Sequence, residues 1–266
     1  MNHLLRSHAP ISDSGWELLD QEARERLAPA LAARKLVDFS GPRGWEHSAT
    51  NLGRVRPLDA VPCEGVAGLR RHVLPLIEVQ AEFAISRAEL YNAERGADDT
   101  DLGQLDHAAH QIAVAENIAV FHGWEGAIGG IAEVSPHEQV QLADSADRYP
   151  QQIARAVERL LASGIAGPYG LALGPEHYRL VVETAEHGGY PLRDHLAKIL
   201  DGPIVWAPGV HGAVILSLRG GDFAFDCGQD LAIGYHSHDS ESVRLYLEES
   251  FSFHVATPEA AVALKP

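Results

Sequence analysis

Apolar and polar positions alternate most regularly near the end of the chain. Val243, Leu245, Leu247, Phe251, Phe253 and Val255 fall on one face, with Glu249 as the single polar interruption. Arg244, Tyr246, Glu248, Ser250, Ser252 and His254 fall on the other. A period of two, rich in β-branched and aromatic residues, predicts a long half-buried strand. Shorter strands are predicted before it at Phe223–Phe225 and Leu231–Tyr235. After it, Pro258 breaks the ladder and Ala261–Leu264 makes a last run. A second alternation sets Ile77, Val79, Ala81, Phe83 and Ile85 against Glu78, Gln80, Glu82 and Ala84, inside an extended stretch from Trp45 to Ser86. Pattern alone leaves two readings of that stretch. It is an ordinary strand of the main sheet, or part of an arm that buries its apolar side on a neighbour, because an isolated hairpin is marginal in water.

Helical spacing governs the regions between. Trp16, Leu19, Ala23, Leu27, Ala30 and Leu31 recur at helical intervals after Ser14 and Glu17, which read as a capping box. Asp20/Arg24 and Glu22/Arg26 are spaced as i,i+4 ion pairs, and Pro29 is expected to bend or interrupt the helix. A helix is predicted from Leu102 to Phe121, with a stripe of Leu105, Ala108, Ala109, Ile112, Ala115 and Ala119 that permits close packing. Gly123, Gly126, Gly129 and Gly130 mark a crossing into a second region. Helices at Pro150–Ser163, Pro175–His187 and Pro191–Leu200 each carry Pro near the start, and Gly164 and Gly202 act as stop signals. Strands at Leu171–Leu173, Ile204–Trp206 and Ala213–Leu218 interleave with them. The fold class is α+β.

Composition narrows the function classes. The length allows one large domain or two small ones, and 45% hydrophobic residues suffice for a sizeable core. No apolar run approaches the roughly 18 residues of a membrane span, so no membrane partner is expected, and MNHLLRSHAP does not read as a secretory signal. Cys63 and Cys227 lie far apart in no metal spacing and read as reduced thiols of a cytoplasmic protein. A net charge of −16 argues against a nucleic-acid groove, which needs a basic face.

No catalytic constellation emerges. His107 and His110 sit one helical turn apart near Glu116, but without the zinc-protease spacing, and read as a solvated helix edge. His236-Ser237-His238-Asp239 has the density of a metal clip, yet a turn between two strands explains it without one. There is no G-x-S-x-G elbow, and the 126–130 glycines lack the Lys and Ser/Thr of a phosphate loop. No metal and no cofactor are expected. His187-Gly188-Gly189-Tyr190-Pro191 reads locally as a helix–helix loop whose glycines permit positive φ. Arg34 and Asp38 read locally as a pair of solvated charges.

Ordered strings along the whole chain resemble the encapsulin shell proteins: LLRSHAPI, ARKLVDFSGPRGWE, LPLIEV, ERG, GPYGLAL, HGGYPLRDHL, RGGDF, GQDLAIGY and VRLYLEESFSFHV. None is specific alone; their order and spacing carry the match. The resemblance implies the tailed-phage major-capsid fold, divided as an N-terminal arm and helix (1–40), an extended loop lying over the adjacent subunit (41–86), a peripheral domain (87–130, completed by 223–266) and an axial domain (131–222). It implies a self-assembling container and not an enzyme. The subunit is short and free of insertions, which favours the smallest icosahedral shell of roughly sixty copies. The enclosed partner would be a cargo protein, such as a dye-decolourising peroxidase or a ferritin-like protein, docked by its C-terminal tail. The positions matching the cargo site are Arg34, Asp38, Asp230 and Leu231, with Leu27, Leu31 and Ile233 as apolar lining. His187, Gly188, Gly189 and Tyr190 match the fivefold pore loop. The alternative is a phage or prophage major capsid protein, against which counts the absence of a long scaffolding segment before Ser14. A bacteriocin or peptidase, labels this family has carried, is disfavoured by the absent signal peptide and the absent nucleophile–base pair.

Overall fold

The computed structural model describes residues 3–142, 145–185 and 189–266. In chain order the elements are α1 (Asp13–Ala30), β1 (Asp38–Ser40), β2 (Ala49–Pro57), β3 (Leu69–Pro75), β4 (Ile77–Ser86), α2 (Arg87–Glu94), α3 (Gly103–Phe121) and α4 (Ile131–Val134). They continue with β5 (Val140–Gln141), α5 (Tyr149–Ala162), β6 (Tyr169–Leu173), α6 (Pro175–Glu183), α7 (Leu192–Leu200), β7 (Ile204–Trp206), β8 (Ala213–Ser217), β9 (Phe223–Cys227), β10 (Ala232–His238), β11 (Ser242–Val255) and β12 (Ala261–Lys265).

β11 is the axis of the first sheet. One edge pairs antiparallel with β4 over Ser242–Phe251, and the other pairs with β10 and then β9. β1 adds in parallel to β9. The predicted alternation appears from Val243 to Leu247, but from Leu247 to Phe253 both faces are buried. The polar face is satisfied there by specific partners. Glu248 accepts from Gln80 and lies 2.8 Å from His3, Ser250 accepts from the Gln229 amide, and Ser252 meets Thr50.

α1 and α3 cover the apolar face. α1 is capped by Ser12 and not Ser14: its Oγ accepts from Gly15 N at 3.1 Å, two residues before the expected start. Trp16, Leu19, Ala23, Leu27 and Ala30 are its buried stripe. Pro29 falls in the last turn, one residue before the helix ends. Glu22 and Arg26 form the expected i,i+4 bridge at 2.7 Å, whereas Asp20 turns to Arg6 instead of Arg24. The small residues of α3 let it lie between α1 and the β4–β11 pair, with Leu105, Ala108, Ala109 and Ile112 buried and His107 and His110 exposed.

β5-β12-β8-β6-β7 form a second sheet, packed by α5, α6 and α7. Close approach needs glycine at the crossing: a Cβ on Gly130 would lie 2.0 Å from the Gly123 amide.

Three expectations change. Ile77–Ser86 belongs to the main sheet, so of the 41–86 stretch only the β2–β3 hairpin is left as a candidate arm. Ten residues of ladder on β11 and a buried Val79, Phe83 and Ile85 outweigh any arm conformation for β4. The 223–266 block also divides, because β12 crosses to pair with β8 and β5 in the second sheet. Finally, His236, Ser237 and His238 continue β10, and the turn begins at Asp239, whose Oδ1 accepts from the Glu241 and Ser242 amides. Among the described residues, no group of His, Cys, Asp and Glu has the arrangement of a metal site.

Candidate functional site

Where α1 ends, Asn117 of α3 organises the chain. Its Oδ1 accepts from the amides of Ala32 and Ala33 at 3.0 and 3.1 Å, and its Nδ2 donates to the carbonyls of Ala30 and Pro208. All four capacities of the buried amide are used, which satisfies backbone groups the helix end leaves open. The turn this imposes carries Arg34 across the preceding residue of α3, Glu116.

Arg34 is not a solvated charge. Its Nε donates to Glu116 Oε2 at 2.6 Å, its Nη1 to Asp230 Oδ1 at 2.7 Å and its Nη2 to Glu249 Oε2 at 2.6 Å. Its guanidinium carbon lies 5.0 and 5.5 Å from the ring centroids of Phe39 and Phe225. Burial alone would lower its pKa, but the Glu116 and Glu249 carboxyls outweigh that and raise it. Burial also pushes both glutamates above the usual carboxylate range. Glu249, the one interruption of the apolar strand face, is explained: it meets a cation contributed from 215 residues away.

Beside this cluster, α1 and the start of β10 enclose a groove of about 590 Å³, lined by Leu27, Leu31, Arg34, Asp230, Leu231, Ile233 and Leu247, with Arg6, Asp20, Ala23, Arg24, Ala28 and Ala232 completing it. Leu27 and Ile233 are almost fully buried and form the floor, while Leu31 and Leu231 are half-buried. Asp38 is not part of the lining. A 3-10 turn and the start of β1 intervene after Arg34, and Asp38 Oδ2 instead accepts from the Gly221 amide at 2.7 Å. Sequence reasoning missed Arg6 and Asp20. The Arg6 guanidinium grips Asp20 at 2.6 and 2.8 Å, donates from Nε to the Ile233 carbonyl at 2.7 Å and lies 4.6 Å from the Trp16 ring centroid. No local pattern marks an arginine near the N-terminus for that role.

In the other predicted site, His187 and Gly188 lie outside the described residues. Gly189 takes φ +80° with open space around the position of a Cβ, and Tyr190 is exposed, with Lys198 Nζ 4.9 Å from its ring centroid.

The profile of a family described as the encapsulating protein for peroxidase matches residues 1–252. The type 1 encapsulin shell protein of Rhodospirillum rubrum is 47% identical over 100% of this chain and 97% of its own length. That of Mycobacterium tuberculosis is 39% identical over 99% of each. Among solved structures, a virus-like particle from Pyrococcus furiosus superposes with a TM-score of 0.67 at 17% identity, covering 94% of this chain and 99% of its own. The capsid of Myoviridae phage XM1 gives 0.53 at 11% identity, covering 86% and 88%. The fold is that of phage capsids and virus-like particles, and the chain belongs to the encapsulin shell-protein family, whose curated members are shell proteins and not enzymes.

Proposed function

We propose that copies of this chain close into a hollow icosahedral compartment in the cytoplasm, roughly sixty to a particle, and that the groove between α1 and β10 retains a cargo enzyme by its C-terminal tail. The family description makes a peroxidase the first cargo to test; the resemblance specifies a dye-decolourising one, with a ferritin-like protein second. One observation carries the reading: an apolar trough in which Arg34 and Arg6 are already paired within the protomer, with Arg24 as an exposed charge on its lining. Arg34 is spent on three carboxyl groups and Arg6 on Asp20 and a carbonyl. An extended peptide laid there gains burial on Leu31 and Leu231 while Arg34 and Arg6 keep their partners, and Asp230, 43% exposed, and the exposed Arg24 offer polar contacts to it. Asp38 lies outside this trough, so the peptide site proposed here omits it.

In the same reading, the β2–β3 hairpin lies over the adjacent subunit, and His187 to Tyr190 surround an axial pore. The test of the groove is cargo loading in Leu231→Asp shells. A carboxylate desolvated under the tail opposes docking, so shells that form normally should come out empty. Replacing Leu231 with Ala should weaken each tail by at most about 1.5–3 kcal/mol, roughly ten- to hundredfold in affinity. Normal filling of well-formed Leu231→Asp shells would place the cargo site elsewhere.

A further inference from the structure

Three carboxyl groups converge on one guanidinium, and two of them, Glu116 and Glu249, have no exposed side-chain surface. Each glutamate gives Oε2 to Arg34, and each leaves its Oε1 buried with no donor. Both Oε2 atoms lie 2.6 Å from nitrogens of the same guanidinium, Nε and Nη2, which brings the two carboxyl groups side by side. Two carboxyl groups buried side by side strongly oppose double ionisation, and one keeps its proton. An orphaned buried oxygen is itself costly.

We propose that Glu116 and Glu249 hold one proton between them at neutral pH, the acid of one donating to the carboxylate of the other, and that this shared proton clamps α3 to β11. A single proton makes one carboxyl a donor to the other. It leaves one net carboxylate from the pair against Arg34, with Asp230 as a second at the rim. The groups facing the pair from other elements do not change this balance. Cys227 of β9 is a neutral thiol, its pKa pushed up to about 12 by burial and then by Asp230. The cross-strand partner of Glu249 on β4 is Val79. Among the described residues, Arg34 is the one cation bonded to either glutamate. The clamp stands whatever occupies the groove.

The consequence is an alkaline sensitivity built into the protomer. The folded chain keeps a proton that the unfolded chain releases above the ordinary carboxyl range. The contribution is therefore complete below the unfolded pKa and is lost as pH rises through the raised value of the folded state. Over that window the folding equilibrium falls about tenfold per pH unit for one proton.

Wild type, Glu116→Gln and Glu249→Gln would be compared by infrared spectroscopy and by denaturant unfolding from about pH 5 to 9. An amide in place of either acid supplies the N–H that the proton supplied, and needs no proton. The expected result is a protonated-carboxyl C=O band in wild type at neutral pH, absent from both variants, and a flatter pH dependence of unfolding in Glu249→Gln. Absence of that band in wild type, or its full persistence in both variants, overturns the proposal. An unchanged pH slope in Glu249→Gln overturns it as well. Should Glu249→Gln fail to fold, the wild-type band and its presence or absence in Glu116→Gln decide.

Discussion

Replacing Arg34 with alanine separates two roles that one residue could have, holding a cargo peptide or holding the protomer together. The variant removes three charge-assisted hydrogen bonds of 2.6, 2.7 and 2.6 Å. The bond to Asp230 counts little, because that side chain is 43% exposed and water replaces the cation there. The other two leave Glu116 and Glu249 buried without a counterion. Breaking a buried ion pair from one side costs about 3–5 kcal/mol. The carboxyls can escape part of this by taking a second proton, so the penalty should be smaller near pH 5 than near pH 8, roughly either side of neutrality. At about 2–4 °C per kcal/mol for a chain of this size, thermal unfolding should drop by about 6–20 °C at neutral pH. Arg34→Met is the companion variant: it keeps an unbranched apolar side chain of similar reach and removes the guanidinium that lies near Phe39 and Phe225 together with its charge and hydrogen bonds. Scanning calorimetry at both pH values, with cargo content measured on the same shells, reads the outcome. Variant shells with wild-type unfolding temperature but no cargo would refute the structural reading and make Arg34 a peptide ligand.

The arm should dock electrostatically. β2 and β3 carry Arg54, Arg56, Arg70 and His72 as cross-strand pairs, with no acidic residue on either strand, while the chain as a whole has net charge −16. Like charges placed opposite destabilise a ribbon until an acidic surface meets them. Arg56→Glu/Arg70→Glu protomers should fold yet fail to assemble, and wild-type assembly monitored by light scattering should slow as the screening length shrinks from about 10 Å at 0.1 M salt to 3 Å at 1 M; salt-independent assembly would count against this. At the root of the arm, Asp226 accepts from Arg43 and Thr50 and meets His47. Although burial opposes it, bonds from Thr50, Arg43 and His47 hold its pKa below the usual value, so its contribution is present above the unfolded pKa and lost as pH falls through the folded one. Asp226→Asn should cost about 1.5–3 kcal/mol at neutral pH, a deficit that closes in acid; chemical unfolding at both ends of that range checks it. With the pore placed as proposed, His187→Ala shells should admit small anions at a different rate from wild type, measured by quenching of an encapsulated dye.

What was legible in the sequence is what short-range periodicity encodes. The apolar alternation of β11, the small-residue stripe of α3 and the Pro-led starts of α5, α6 and α7 each depend on neighbours a few residues away, and each element stands within a few residues of its expected place. The boundary of the arm failed for a physical reason. An alternating strand reads the same whether its apolar side meets its own sheet or a neighbour, and only the ten-residue register with β11 assigns Ile77–Ser86 to the protomer.

The candidate site shows the same limit more sharply. Leu27, Leu31, Leu231 and Ile233 can be paired as lining by resemblance, but the charges around them cannot be assigned from spacing. Arg34 and Asp38, four apart, read locally as a pair of solvated charges, but the partners of Arg34 lie 82, 196 and 215 residues further along. Glu249 did carry a visible signal, as the only polar residue on an otherwise apolar strand face. Such an interruption costs several kcal/mol unless a counter-charge arrives, so it is a request for a partner, and the sequence cannot say from where. Asn117 answers it by turning the chain after α1, which is why a residue with no charge and no local motif decides where Arg34, the cation bonded to both glutamates, points. Groove and clamp are thus two sides of one feature of the fold: Arg34 is neutralised inward, so the apolar lining of the trough borders a cation that is already paired.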